Sequence, residues 1–474
     1  MTSARIPLAS DVPFTTTGRA FWTMDRVAQA LATCADGPLP AGAREFLAVS
    51  TDTRTIAADT LFVALVGDRF DAHEFLGVAV AAGATALVVS DPIRAAGLGV
   101  VVYVVSDTRI ALGALARYRR QAWGKPVIAV GGSNGKTSTK AMLTAMLAGA
   151  YDVHATPGNL NNEIGVPLTL LALPDDADVA VIEAGTNSPG EIARLRAIIA
   201  PDVTVITSIG EEHLEGFGDI AGVLREELTL TVGVPVVVTS SEHPEVAAGV
   251  PGDGQQVVVA GLDSGHMQPL AWALGVDGSG TLTFNDGALR IPLKGVHNLR
   301  NAMLAVTVAR GFGVSLEQMQ FGLERMTQPA MRVAIEGVGE ALLINDAYNA
   351  NPPSMRAALD LLEAVGTAQG RPLVAVLGTM RELGLRADAL HDDLARDAIR
   401  RPLALIVGIG DFADAFRRVA PNDARLILVD DAPLAASGLL SRAPRTAAIL
   451  LKGSRGVRLE RLVDPITVWA TSAT

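Results

Sequence analysis

The chain predicts an α/β fold of parallel sheets arranged in three successive units. Three observations carry this. Short apolar runs alternate with segments of helical spacing along almost the whole length. One of these strand-to-helix junctions is a glycine-rich turn followed by Lys-Thr. The composition, 49% hydrophobic with only 4% aromatic, is the Ala/Val/Leu/Gly-rich kind common in such folds.

Residues 1–106 form the first unit. Strand-like runs at Leu61–Val66, Ala86–Val89 and Val100–Val105 surround a helical segment through His73–Ala82. The second unit, 107–324, opens with the helical pattern "DTRIALGALARYRRQAW", which stops at Gly124-Lys-Pro126. Strands are expected at Val127–Val130, Val179–Ile182, Val203–Thr207 and Val234–Val238, with helices between the early ones. Around Gln255–Leu293 the pattern changes to short alternating strands and glycine turns, a hairpin-like insertion, before a helix at Asn298–Arg310. The third unit, 325–474, repeats the alternation at Ala341–Ile344, Leu373–Leu377, Leu403–Gly408, Arg425–Val429 and Ala447–Leu451, a doubly wound, Rossmann-like pattern.

With 474 residues the chain has room for several cores. The net charge of -11 opposes nonspecific binding to nucleic acid or anionic membrane, so an anionic ligand needs local groups to hold it. Cys34, the sole cysteine, excludes an internal disulfide and reads as a small core residue. The leading "MTSARIPLASDVPFTTTG" has no apolar signal core, and no apolar run is long enough to span a bilayer. A cytoplasmic protein is expected, with no nucleic-acid partner and no membrane insertion.

The sharpest local signal is "PVIAVGGSNGKTSTKAML". Backbone N–H groups of the turn Gly132, Ser133, Asn134, Gly135 and the helix start at Lys136, Thr137, Ser138 can cradle phosphate. Lys136 can reach terminal phosphates, and the Thr137 hydroxyl suits Mg²⁺. Val130 stands where the general phosphate-loop pattern has glycine, so an ordinary GTPase-type loop is not expected. Glu183 and His213 follow apolar strands of the same sheet and are candidate metal groups at its C-terminal edge.

Together with these, "GNLNNEIGVPLTLL", "EAGTNSPGEI", "HLEGFG", "GVHNLRNAMLAV", "NDAYNANPPSM", "LGTMRELG" and "LKGSR" resemble the ATP-dependent Mur ligases of peptidoglycan synthesis. The run "DAYNANP" resembles the branch that adds D-alanyl-D-alanine. "STDTRTIAADTLFVALVGDRFDAHEF" resembles that family's UDP-sugar-binding domain, so the likeness covers nearly the whole chain. The resemblance implies a UDP-sugar domain, a central P-loop ATPase domain and a Rossmann-like ligase domain. It implies ATP and Mg²⁺ as cofactors, UDP-N-acetylmuramoyl-tripeptide and D-alanyl-D-alanine as substrates, an acyl-phosphate intermediate, and a monomer. It further implies that Thr137 and Glu183 serve one Mg²⁺ and His213 a second. Asn298, Arg332, Asp346 and Asn349 would meet ATP. Asp52, Thr53, Arg54, Arg69, Thr156, Asn159, Asn161 and Asn162 would contact the nucleotide sugar, and Lys452 and Arg455 the anionic peptide end.

The sequence departs from the family at one telling place. The lysine that other members convert to a carbamate aligns with Glu227, and no lysine occurs between Lys140 and Lys294. On a helix turning about 100° per residue, Ile220, Val223, Leu224 and Glu227 share a face, while Arg225 and Glu226 point elsewhere, to solvent. Glu227 is therefore expected to replace the carbamate as a built-in carboxylate beside the second metal, although its side chain is roughly 3.5–4 Å shorter; the other reading is a salt-bridged helix carboxylate with no metal role. Thr379 also stands where the family commonly has aspartate. Two other readings share some of these motifs: another amide ligase, of the folylpolyglutamate type or for a different muramyl peptide, and a catalytically silent paralogue that only binds UDP-muramyl peptide or ATP.

Overall fold

A computed structural model describes residues 20–67, 69–252 and 254–472. The leading stretch read above for an export signal, residues 1–18, lies outside the described residues. Among the described residues no helix is long and apolar enough to cross a membrane.

The first unit centres on a parallel four-stranded sheet in the order Ala48–Ser50, Thr60–Val63, Ala84–Val89, Val101–Val104. The strand Ala48–Ser50 was not visible as an apolar run, because its residues are at the partly exposed sheet edge. Val66–Gly67 leaves the expected strand and pairs with Phe70–Asp71 in a small hairpin. Cys34 is buried, as a core residue should be.

Asp107 caps the helix Thr108–Trp123 by accepting the N–H groups of Arg109 and Ile110, and Gly124 ends it in the left-handed conformation. This helix belongs to two cores. Ala111, Leu112 and Leu115 pack into the first unit, whereas Ala116 and Trp123 pack under the central sheet.

The central sheet has six parallel strands in the order Val153–Ala155, Val179–Glu183, Val127–Gly131, Val203–Ile206, Val236–Ser240, Gln256–Ala260. Val127–Gly131 is buried throughout, since helices cover both faces of the sheet. It lies between Val179–Glu183 and Val203–Ile206, and the loops leaving these strands open a crevice at their C-terminal ends. One expectation needs correction here. Gln256–Ala260 is an edge strand of this parallel sheet; only Ala271–Leu274, Gly280–Phe284 and Gly287–Ile291 make the antiparallel insertion.

The third sheet runs Ala334–Val338, Ala341–Asp346, Ala448–Lys452, Leu373–Gly378, Leu403–Ile409, Leu426–Val429. All five expected strands are present. The additional strand Ala334–Val338 is antiparallel and half exposed, which is why it lacked an apolar signature. Thr379 closes the strand Leu373–Gly378, and its hydroxyl accepts the Asp411 N–H at the start of the helix Asp411–Val419, at 3.0 Å.

Candidate active site

The phosphate loop is shaped before any ligand enters it. Gly132 has φ +109°, and a Cβ there would lie 2.5 Å from the Thr207 hydroxyl, so only glycine fits. Gly135, at φ +85°, backs against Asn301 of the helix Val296–Gly311 with the same consequence. The segment after the next strand ties the loop down. Ser208 O accepts the Ser133 N–H at 2.7 Å, Ser208 Oγ accepts the Asn134 N–H at 2.9 Å, and the Thr207 hydroxyl donates to Asn134 O at 2.6 Å.

These bonds correct the expected cradle. The N–H groups of Gly132, Ser133 and Asn134 already have protein acceptors, and Gly132 does not line the cleft. The phosphate-facing part is the later one, Gly135 to Ser138, at the N-terminus of the helix Lys136–Leu147, where the first amides have no intrahelical partner. Lys136 folds back over the loop and donates to Gly132 O and, at 3.0 Å, to Ser133 O.

Behind the loop lies a second set of fixed groups. Glu183 ends its strand fully buried, accepting the Thr137 hydroxyl at 3.1 Å and the Asn161 amide at 2.9 Å. Lys140 Nζ is 3.0 Å from the other oxygen of Glu183 and donates to Thr156 O and Gly158 O. The Thr156 hydroxyl accepts the Glu183 N–H at 2.9 Å, so Thr156 braces Glu183 from beneath and does not line the cleft. Lys140 was not anticipated, although it sits one turn after Lys136 and therefore on the same helix side.

A cleft of about 830 Å³ gathers most of the expected residues. Ser133 to Ser138, Asn159, Asn161, Asn162, Glu183, His213 and Asn298 come from the central unit, and Arg332, Asp346, Asn349 and Lys452 from the third. Asn298 is buried, donating to Lys294 O and accepting from Asn301. Arg332 stacks on the Tyr348 ring, 4.2 Å from its centroid. Asp346 pairs with Lys452 at 2.7 Å, and Lys452 also donates to Asn349 O.

Other expected residues lie elsewhere. Arg455 borders a smaller neighbouring cavity with Arg381, Glu382, Glu212 and His213. Asp52, Thr53 and Arg54 form an exposed turn in the first unit, with Asp52 and Arg54 paired to each other at 2.6 Å, and Arg69 is exposed on the hairpin turn. None of these five lines the 830 Å³ cleft.

His213, in the left-handed conformation at φ +49°, turns its Nδ1 to Glu382 of the third unit. Burial pushes its pKa below the usual value, and the Glu382 carboxylate partly opposes that. Glu212, beside it, is a wall residue that the sequence reading passed over. Its carboxyl is 3.7 Å from Lys136, and burial raises its pKa to about 7 against the pull of that lysine. His297, also in the wall, is driven down to about 4 by burial and is neutral at neutral pH.

Glu227 is buried on the face where the helical wheel put it, whereas Glu226 and Ile220 depart from that expectation. Glu226 is buried too, Ile220 is 41% exposed, and Arg225 is exposed as expected. Glu226 accepts the N–H groups of Gly190 and Ile192, each at 2.9 Å, and so caps the helix Glu191–Ile199. Glu227 stands behind the phosphate loop, accepting the Gly132 N–H at 2.7 Å, and does not line the cleft. Among the described residues no three His, Cys, Asp or Glu groups cluster with metal-holding geometry.

The chain matches the family models for the Mur ligase middle domain over residues 130–309 and for the Mur ligase, glutamate ligase domain over residues 331–455. A UDP-N-acetylmuramoyl-tripeptide–D-alanyl-D-alanine ligase of Escherichia coli (strain K12) is 34% identical to it over 88% of this chain and 92% of the relative. The crystal structure of MurF from Acinetobacter baumannii is similar with a TM-score of 0.84 at 33% identity, covering 94% of this chain and 98% of that one. The MurF ligase from Thermotoga maritima, solved in complex with ADP, is similar with a TM-score of 0.77 at 25% identity, over 89% and 97% of the two chains.

Proposed function

The chain belongs to the Mur ligase family, and from that membership we infer that it joins D-alanyl-D-alanine to UDP-N-acetylmuramoyl-tripeptide, with ATP converted to ADP and phosphate. One observation carries the reading at the site. A single cleft is lined by a phosphate loop with its lysine, by a buried carboxylate–hydroxyl pair, and by cationic and amide groups of a second sheet. That arrangement can hold a nucleoside triphosphate on one side and the carboxylate that attacks it on the other.

The chemistry that these residues must support has two steps. A terminal carboxylate oxygen of the tripeptide attacks the γ-phosphorus of ATP, and the bond to ADP breaks. The amine nitrogen of D-alanyl-D-alanine then attacks the resulting acyl carbon, the carbon–oxygen bond to phosphate breaks, and the nitrogen gives up its proton. Two anions meet in the first step. Lys136 has only carbonyl oxygens as hydrogen-bond partners, and swinging toward the phosphates would offset their charge. Asn298 and Arg332 are placed to meet the base and sugar, and Lys452 the anionic side, with Asp346 and Asn349 fixing Lys452. The third unit supplies one wall of the cleft, and closing that wall over the site would shield the acyl phosphate from water.

The donor set also fits Mg²⁺. Thr137 and Glu183 present a hydroxyl and a carboxylate within 3.1 Å of each other, hard oxygen donors of the kind this ion takes. When bound there it would supply charge neutralisation for the triphosphate. His213 is held by Glu382 in this arrangement, so a second cation at His213 requires that contact to open.

On this reading the protein works as a monomer, and a UDP-linked substrate puts the work in the cytoplasm. The exposed groups Asp52, Thr53, Arg54 and Arg69 stay candidates for the UDP end. Phosphate release by the purified protein tests the reading. It should require both UDP-N-acetylmuramoyl-tripeptide and D-alanyl-D-alanine; release driven by a folate and glutamate would favour the folylpolyglutamate-type alternative, and nucleotide binding without any release the silent paralogue.

A further inference from the structure

The helix Ile220–Leu228 ends against the root of the phosphate loop, where Glu227 is 1% exposed. One of its carboxylate oxygens accepts the Gly132 N–H at 2.7 Å, and the other is shielded with no hydrogen-bond partner. There is no slack between them. A Cβ on Gly131 would lie 2.9 Å from the Glu227 oxygen, and one on Gly132 would strike Thr207. The carboxylate therefore fills a slot that Gly131 leaves beside it.

The consequences run forward along the loop. Gly132 follows the strand, and its amide sets how the next peptides turn. Gly132 O and Ser133 O are the carbonyls that hold Lys136. Without an acceptor at Glu227 the Gly132 N–H would be buried and unpaired, a cost the loop relieves by rotating that peptide. Such a rotation displaces both the lysine's resting place and the amides from Gly135 to Ser138 that face the cleft. Burial holds the Glu227 carboxyl above its usual range, and Lys136 and the Gly132 N–H draw it back.

We propose that Glu227 is a positioning residue of the phosphate loop, acting through the Gly132 amide and touching neither nucleotide nor metal. What the loop needs from it is a hydrogen-bond acceptor at full reach, and its charge is secondary. The proposal rests on the cleft being a nucleotide site.

Reach and charge separate cleanly in two variants. Glu227→Gln is neutral and still reaches Gly132; Glu227→Asp keeps the charge and falls one methylene short. With the full-length protein, ADP binding in the presence of Mg²⁺ is measured calorimetrically, and KM for ATP, kcat and the Mg²⁺ concentration for half-activity in ligation. The expected result is ADP affinity within about twofold of wild type for Gln and about tenfold weaker for Asp, with KM for ATP following the same order. The Mg²⁺ requirement of the Gln variant should stay unchanged. A Gln variant as weak as, or weaker than, the Asp variant overturns the proposal, as does a raised Mg²⁺ requirement in Gln, or an Asp variant that binds normally. If Asp does not fold, Glu227→Met, similar in size and without an acceptor, takes its place with the same expected loss. Wild-type protein that binds ADP and shows this pattern but does not ligate would end the ligase reading alone; wild type that does not bind ADP overturns both.

Discussion

At the residue scale the site is a set of charges whose partners are already chosen, and this decides what each substitution does. Lys136 hydrogen-bonds loop carbonyls and stands 3.7 Å from the buried Glu212, whose carboxyl burial already favours in the protonated form, so Lys136→Ala should still fold. It should lose about 10²–10³ in kcat, the usual consequence of removing a group aimed at developing charge. Steady-state kinetics beside a thermal melt checks both halves. Lys136, Thr137 and Glu183 were legible because strand, glycine turn and helix fix their relative places from sequence alone. Lys140 and Glu212 were not. Nothing in a lysine on a helix or in the second of two glutamates says that it will be buried, since that depends on what the fold packs against it. Glu226 shows the limit of the helical wheel. The wheel assumes one covered face, but this helix is covered on two, by the core at Val223 and by the start of the helix Glu191–Ile199 at Glu226.

At the element scale, helix termini and loops are held by side chains from other elements, and the carboxylates do much of it. Glu226→Ala strips the acceptor from the amides of Gly190 and Ile192. Leaving such buried groups unpaired should cost about 1–3 kcal/mol, read as a lower denaturation midpoint with an unchanged slope. The loop from Gly185 to Asn187, which lines the cleft, lies just before that helix start, so activity should fall with stability. A midpoint equal to wild type would show that the cap is dispensable. The inner strands of the central and third sheets were readable because they are buried on both faces and therefore continuously apolar, whereas the central sheet's partly exposed edge strand Val153–Ala155 was not read. The edge strands Ala48–Ser50 and Ala334–Val338 were missed for the opposite reason, being partly exposed and short of apolar residues.

At the scale of the whole molecule, one apolar core runs through both the central and the third units, and polar contacts join them across the cleft beside it. His213 faces Glu382, the Asn351 amide donates to Asn134 of the phosphate loop at 2.9 Å, and Arg386 pairs with Glu211 at 3.5 Å. Movement of the third unit against the central one would suit a site that must admit two large substrates and then exclude water. Arg386 is half exposed, so Arg386→Glu should leave the melting temperature within a few degrees and place like charges across the closing face. A fall in kcat of about three- to tenfold is expected, smaller at high salt. The three-unit order was visible in the repeated strand–helix alternation, but the pairing of Glu382 with His213 was not, because no local pattern says which loops of separate units face each other. The most direct test of the central claim is a ligation reaction analysed by mass. Purified protein with ATP, Mg²⁺, UDP-N-acetylmuramoyl-tripeptide and D-alanyl-D-alanine should yield the UDP-linked pentapeptide and one ADP per product. ATP turnover with no pentapeptide, or no turnover at all with both substrates present, would contradict it.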